Sequence, residues 1–410
     1  MARAPHAYTS GPGGFVTGEA RAANEPAQTS DLTPQASYIE LHAHSCWSLR
    51  EGASATDELI DRALQLGYPA LALTDHDNLY GAMEFAKAAK ERHLRPITGA
   101  ELSVLGPSLP EPAHVTLLAQ DVEGYRNLCR LISRAYRVHG KDTPLVEQEW
   151  LFELNTGLIV LSGCDTSALA RLVLDQPLAA KALATSYREV FGDRYYVELQ
   201  SHDVFGDSER FAALAYLAEE LGIEVVATNN VHYATQAEHR LQHLVTCIRA
   251  LTTLEDAHGR GLLRPNSEFY LKSGAEMARL FAGVPDALAN TLRIAERCHV
   301  SLDFSSQRLP LFPVPDGETQ FSVLYGLCYD GLRRKYQPVT PAASRQLARE
   351  LDLIERVGLA GYFLMVWDIC RFAREAGIRY QGRGSAANSI VAYVLDITPV
   401  DPLHFNLLFE

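Results

Sequence analysis

The sequence predicts an α/β protein, with successive β-α units around a sheet over residues 38–233 and a mainly helical segment after them. Three observations carry this reading. Short β-rich apolar runs alternate with longer stretches of helical spacing, six of the seven runs end at or just before a metal-type side chain, and no stretch of eighteen apolar residues occurs. With 410 residues, 47% apolar and 21% charged, the chain is long enough for two or three domains with real cores. Disorder as a whole and a membrane span are excluded.

Residues 1–37 are rich in Ala, Gly, Pro, Ser and Thr without an apolar centre, so they read as a disordered leader and not a signal peptide. Strands are expected at 38–42, 70–73, 96–100, 115–119, 158–161, 195–199 and 224–228. Between the first two lies a helix with Ser54 or Thr56 as N-cap, Asp57 and Glu58 in its first turn, Leu59, Ala63 and Leu66 on one face, and Gly67 as its stop. Helical segments follow from about 240 to 298, including 241–251 and 287–295, and the Pro-rich stretch 308–317 reads as a linker. Beyond it come a basic helical segment at 333–356, another at 362–374, and the turn Gly382-Arg-Gly-Ser385 leading into an apolar run at 390–395. No repeat of fixed period is present.

The net charge of −13 argues against a protein that grips nucleic acid through bulk positive charge. The charge is uneven. Residues 321–410 hold ten Lys and Arg against nine Asp and Glu, a net +1, which leaves −14 for the first 320 residues. Seven cysteines, an odd number with no CxxC pair, indicate reduced thiols in the cytoplasm and exclude a disulfide scaffold.

Fourteen histidines matter through their placement. His42 and His44 are two apart on an extended segment, so they point to one side and can share a metal. Asp75-His76, Glu101, Cys164, His202 and Asn230 with His232 end later apolar runs, while His114 begins one. Each alone has an ordinary reading: Glu101 as a surface carboxylate, Cys164 as an inert buried thiol, His232 as surface decoration. Those readings would all have to hold at the ends of consecutive strands, where the βα loops of a barrel open onto one mouth. Imidazoles, carboxylates and a thiolate suit zinc, with manganese or iron as alternatives. So many candidates imply more than one ion, and phosphoester hydrolysis is the matching chemistry.

The order His42-x-His44, Thr74-Asp-His76, Gly99-Ala-Glu101, His114, Cys164 and Asn230-x-His232 resembles the polymerase and histidinol phosphatase (PHP) domain. That resemblance implies a distorted seven-stranded β/α barrel with up to three metals, held by His42, His44, Glu51, His76, Glu101, His114, Cys164, Asn230 and His232. Glu51 stands where the family usually has Asp or His, and Asn230 replaces the usual Asp with a neutral amide. His202 is not a usual ligand and is read as facing the substrate phosphate.

In the back third, Gly361-Tyr-Phe-Leu-Met-Val-Trp-Asp368, Gly382-Arg-Gly-Ser-Ala-Ala-Asn-Ser389 and the segment from Asp396 to Glu410 resemble the opening of the palm in bacterial C-family DNA polymerases, the alpha subunits of DNA polymerase III. Thr228-Asn-Asn-Val-His232 and Leu244-Val-Thr-Cys-Ile-Arg249 lean towards the error-prone, damage-tolerance branch. The resemblance implies an incomplete palm in which Arg383, Gly384 and Ser385 hold the triphosphate of an incoming nucleotide. It also implies magnesium for the full polymerase, DNA primer-template and deoxynucleoside triphosphates as substrates, and a sliding clamp and damage-tolerance accessory proteins as partners. The family's palm aspartates are expected beyond Glu410, so these residues are not expected to polymerise DNA by themselves. The segments are then a leader at 1–37, a PHP barrel with helical extension at 38–285, a connector at 286–318 and the start of the palm at 319–410. Two alternatives stand beside this: a stand-alone metal-dependent phosphoesterase, and a non-catalytic scaffold stabilised by metal.

Overall fold

The computed structural model describes residues 38–107, 111–141, 143–303, 311–384 and 388–407. The expected leader at 1–37, Ser385 and part of the Pro-rich linker lie outside the described residues. Two compact units divide between Leu302 and Asp303.

In the first unit seven strands are β1 (Ala70–Leu73), β2 (Arg95–Leu105), β3 (Ala113–Ala119), β4 (Val146–Glu147), β5 (Leu158–Leu161), β6 (Tyr195–Leu199) and β7 (Val225–Ala227). They run in the order β1-β2-β3-β5-β6-β7, with β4 paired to β2. The sheet is mixed, not parallel as the β-α alternation suggests: β3 is antiparallel to both β2 and β5. The cause is the connection between β2 and β3, seven residues with Gly106 and Pro107, too short to carry the helix that a parallel crossover needs.

The first expected strand, 38–42, forms no ladder, and a single bridge, Ala43 to Val231, follows directly after it. This segment nevertheless closes the ring. Ala72 and Thr74 donate to the Glu40 and Ala43 carbonyls at 3.0 and 2.8 Å on one side, and His44 and Val231 exchange bonds with Val231 and His42 at 2.8 and 2.9 Å on the other. The result is a distorted barrel.

Alternation along the strands divides the core. Leu71 and Leu73 pack outward under helices such as Thr56–Gln65, whereas Ala70, Ala72, Ile97, Leu118, Ile159 and Val226 pack inward with Ile39 and Leu41. Because both faces are buried, the strands read as near-continuous apolar runs. Helix Pro285–Arg297, which the sequence reading assigned to a connector, adds Ile294 and Ala295 to the inner cluster, and its Thr291 hydroxyl accepts from Ile39 N at 3.1 Å.

Helix Thr56–Gln65 starts one residue away from both expected caps. Ala55 is the N-cap, and its N–H donates to Glu58 at 2.7 Å. Ser54 and Thr56 spend their hydroxyls on Glu238 and Glu84 instead, tying this turn to neighbouring elements.

The second unit is helical among its described residues: Gln320–Lys335, Pro341–Arg356, Ala360–Glu375 and Ile390–Val394. The basic segment expected at 333–356 is therefore two helices, the second opened by Thr340 as N-cap with Pro341 in its first turn. Leu324, Cys328, Leu332, Leu347, Leu351, Ile354, Leu364 and Val391 form the core. Gly331 lets the helices meet closely, since a Cβ there would lie 2.2 Å from the Val394 carbonyl oxygen.

Candidate metal centre

The reversal of β3 explains the one ligand-type residue that begins a run. Running opposite to its neighbours, β3 brings its N-terminal His114 to the rim where the other strands end, opposite Ser103 of β2. Glu101 likewise does not follow a strand: β2 continues to Leu105, and Glu101 sits within it, opposite Thr116 and bridged to His76. A carboxylate in mid-strand is thereby delivered to the middle of the rim.

Its two oxygens lie among four imidazoles. Oε1 is 3.2 Å from His42 Nε2 and 3.1 Å from His114 Nδ1, while Oε2 is 3.2 Å from His76 Nδ1 and 3.7 Å from His44 Nε2. Two ligand triads result, His42-His44-Glu101 and His76-Glu101-His114, sharing this carboxylate. The His42 and His44 Nε2 atoms are 3.2 Å apart, and both rings are fully buried. Two imidazole nitrogens this close, beside a carboxylate, form a group that could hold a metal ion.

Outer partners fix the rings. Glu198 in β6 meets His42 Nδ1 at 2.6 Å, and also accepts from Gln200 and Gly163 N, so that Nε2 is the free face of His42. Asp77 meets His76 Nε2 at 3.0 Å, which turns Nδ1 towards Glu101. Ser48 reaches His44 Nδ1 at 3.1 Å and is itself held by Asp75, which also binds Ser45, so Asp75 organises the loop. Sequence reasoning missed Glu198 and Asp77. A glutamate inside the buried strand Tyr195–Leu199 is costly unless paired, and that was the available signal. We expect Glu198→Gln to weaken metal affinity about 10- to 100-fold with little change in fold content, read by competition with a chromophoric chelator.

The electrostatics follow from burial and pairing. Burial opposes the His42 imidazolium, but Glu198 and Glu101 outweigh it and carry its pKa up to about 10. Burial, only partly offset by the Glu101 charge, lowers His44 to about 3. For Glu101 burial acts to raise the pKa, yet His114, His42 and His76 hold it well below the usual carboxylate range. Burial first and the Glu101 charge second push the Cys164 thiol well above its ordinary value.

The remaining expected ligands surround this cluster. Cys164 Sγ donates to Glu101 at 3.3 Å, and Glu51 lies 3.1 Å from His76 Nδ1 while also paired with Arg249. His232 stacks on His44 with ring centroids 4.5 Å apart, and Arg264 donates to its Nε2. Glu51, Glu101, His114, Cys164, Asn230 and His232 line one cavity of about 330 Å³. Among the described residues, buried Asn230 Oδ1 and His232 Nδ1 have no hydrogen-bond partner. Orphaned donor atoms beside imidazoles and carboxylates fit a metal.

His202 is brought near but spent elsewhere. Its Nε2 bonds the Asn229 carbonyl at 2.9 Å, and its ring stacks on Phe269 at 4.0 Å. It lines a separate, smaller cavity with Cys164, Asp165 and Glu198, not the one of about 330 Å³.

In the second unit Arg383 and Gly384 are exposed, Gly384 with φ +77, and Ser385 lies outside the described residues. The helix after this turn offers no free N–H groups at its start: Ile390 N and Val391 N donate to Glu350 at 3.2 and 3.3 Å, and Ala392 N donates to Ser389 Oγ.

Residues 40–202 match the PHP domain model, and residues 322–410 match the bacterial DNA polymerase III alpha NTPase domain model. An error-prone DNA polymerase of Symbiobacterium thermophilum is 42% identical over 391 residues, covering 91% of this chain and 35% of that protein. One from Mycobacterium tuberculosis H37Rv is 42% identical over 403 residues, covering 95% and 36%. The DNA polymerase III subunit alpha of Treponema pallidum is 39% identical over 387 residues, covering 91% and 33%. The chain thus spans about a third of the length of the curated relatives it matches. Paired domains in this order, with similarity running through both, show that the chain belongs to the bacterial DNA polymerase III alpha family, on the side of its error-prone polymerases.

Proposed function

We propose that the chain is the N-terminal portion of an error-prone DNA-directed DNA polymerase, and that its barrel binds a multinuclear cluster of zinc or manganese and hydrolyses phosphoesters, as at a DNA 3′ end. In the whole protein the substrates would be primer-template DNA and deoxynucleoside triphosphates, with magnesium at the polymerising centre. Arg383, Gly384 and Ser385 would face the triphosphate; a sliding clamp and damage-tolerance proteins would be partners, in the cytoplasm. Among the described residues no helix is long and apolar enough to cross a membrane.

The observation that supports the metal reading most is the Glu101 carboxylate set among four imidazoles. His42 Nε2, His44 Nε2, both Glu101 oxygens, His76 and His114 would hold the ions, with Cys164, Glu51, Asn230 and His232 around them. Bound metal supplies a water of lowered pKa and charge to stabilise a phosphoryl group. The chain's own part is to hold those ligands: Glu198 and Asp77 fix two of the rings, and Gly163 turns the chain after β5 so that Cys164 enters the cavity. A side chain at Gly163 would lie 2.3 Å from the His114 carbonyl oxygen. The neutral Asn230 amide supplies no anion, which favours fewer than three bound ions.

Metal content by mass spectrometry, together with release of 3′ nucleotides or phosphate from DNA in manganese, tests this. We expect bound metal and turnover that His44→Ala abolishes. Tightly bound metal without turnover would leave a structural site and end the hydrolytic reading; turnover that survives His44→Ala would remove it from this cavity.

A further inference from the structure

One wall of the cavity is cationic. Arg264 is half-buried there, its guanidinium 4.4 Å above the Phe269 ring and donating to His232 Nε2. Among the described residues no carboxylate forms an ion pair with it. The loop is anchored, because the Arg264 carbonyl accepts from His243 Nε2 at 3.2 Å, and Pro265 follows. Arg249, on helix His239–Ala250, lines the same cavity but is already engaged by Glu51.

A half-buried cation without a counter-ion favours an anionic partner, and a guanidinium presents a planar fork of donors that matches phosphate oxygens. Two orphaned polar atoms on this wall, Asn230 Oδ1 and His232 Nδ1, are a second sign that the cavity suits a polar ligand.

We propose that Arg264 grips the phosphate of the ligand that this cavity takes, with Arg249 as a weaker second contact. The class of ligand, a phosphoester whose phosphate sits between the arginine and the Glu101 cluster, rests on the hydrolytic reading above. The interaction itself does not require turnover.

The test is calorimetric titration of inorganic phosphate into the manganese-loaded 410-residue chain. Arg264→Ala should weaken binding roughly tenfold or more, as expected for loss of a charge-assisted pair. Arg264→Lys should fall between, keeping the charge without the fork, and Arg249→Ala should cost less than Arg264→Ala. Metal content should stay unchanged in all of them. Equal phosphate affinity in Arg264→Ala, no phosphate binding by the parent chain, or phosphate affinity lost only together with metal would each overturn the proposal. Hydrolysis measured on the same preparations separates the two readings. Phosphate bound through Arg264 without turnover would sink only the hydrolytic one, and turnover with an unchanged KM in Arg264→Ala would sink only this one.

Discussion

Glu101→Gln is expected to empty the metal centre, with affinity falling at least about 100-fold, more than the change typical of an outer partner. One carboxylate serves both ligand triads, so a single neutral substitution removes an anion from each. The fold should suffer as well. Buried His42, with its pKa raised to about 10, loses one of its two counter-charges, and breaking a buried ion pair costs about 3 kcal/mol or more. Urea unfolding in chelator and metal analysis after dialysis check the two effects separately. Retention of stoichiometric metal by the variant would show that Glu101 is a strut and not a shared ligand.

The same charges give the metal affinity a direction with pH. Without metal, His42 stays protonated up to about pH 10, and Cys164 keeps its proton above its ordinary value. Ligation requires the deprotonated forms, so affinity should rise as pH rises through neutrality, and binding should release protons. His44, lowered to about 3, is already neutral and contributes none of this release. Calorimetry in buffers of different ionisation heat reads the proton count directly; no release would contradict the ligand set.

Glu350→Ala is expected to loosen the second unit by about 3 kcal/mol. Glu350 is only 1% exposed, and it accepts from Ser389 Oγ at 2.7 Å, from Ile390 N at 3.2 Å and from Val391 N at 3.3 Å. Truncation leaves a hydroxyl and two backbone N–H groups buried without partners, each costing about 1–3 kcal/mol before relaxation. Glu350→Gln should retain part of the stability, since its carbonyl still accepts. Hydrogen exchange at 390–392 and urea unfolding followed at Trp367 are the measurements; a change below about 1 kcal/mol would mean that water takes over these bonds.

Part of this site was legible from residue order alone. His42-x-His44 needed only the two-residue period of an extended chain, and His76, Cys164 and His232 needed only the habit of strands ending in polar residues. The role of Glu198 was hidden in an apolar strand, and that of Asp77 behind its neighbour His76. Glu350 lies in an amphipathic helix where a glutamate reads as solvated. Arg264 lies in a loop whose partners are distant in sequence. None of these roles is set by local spacing, because each depends on a contact across at least twenty-six residues, or, for Asp77, on which ring nitrogen Glu101 occupies.

Sequence by itself determined the α/β class, the family and the identity of most candidate ligands, because periodicity and residue type are local properties. Tertiary structure alone decided that β3 runs backwards, that Glu101 stands in mid-strand at the centre, and that His202 is spent on Asn229. Strand direction follows from the length of a connection and the closure of the ring. The side chain a carboxylate faces follows from register, and neither is encoded within a single run of residues.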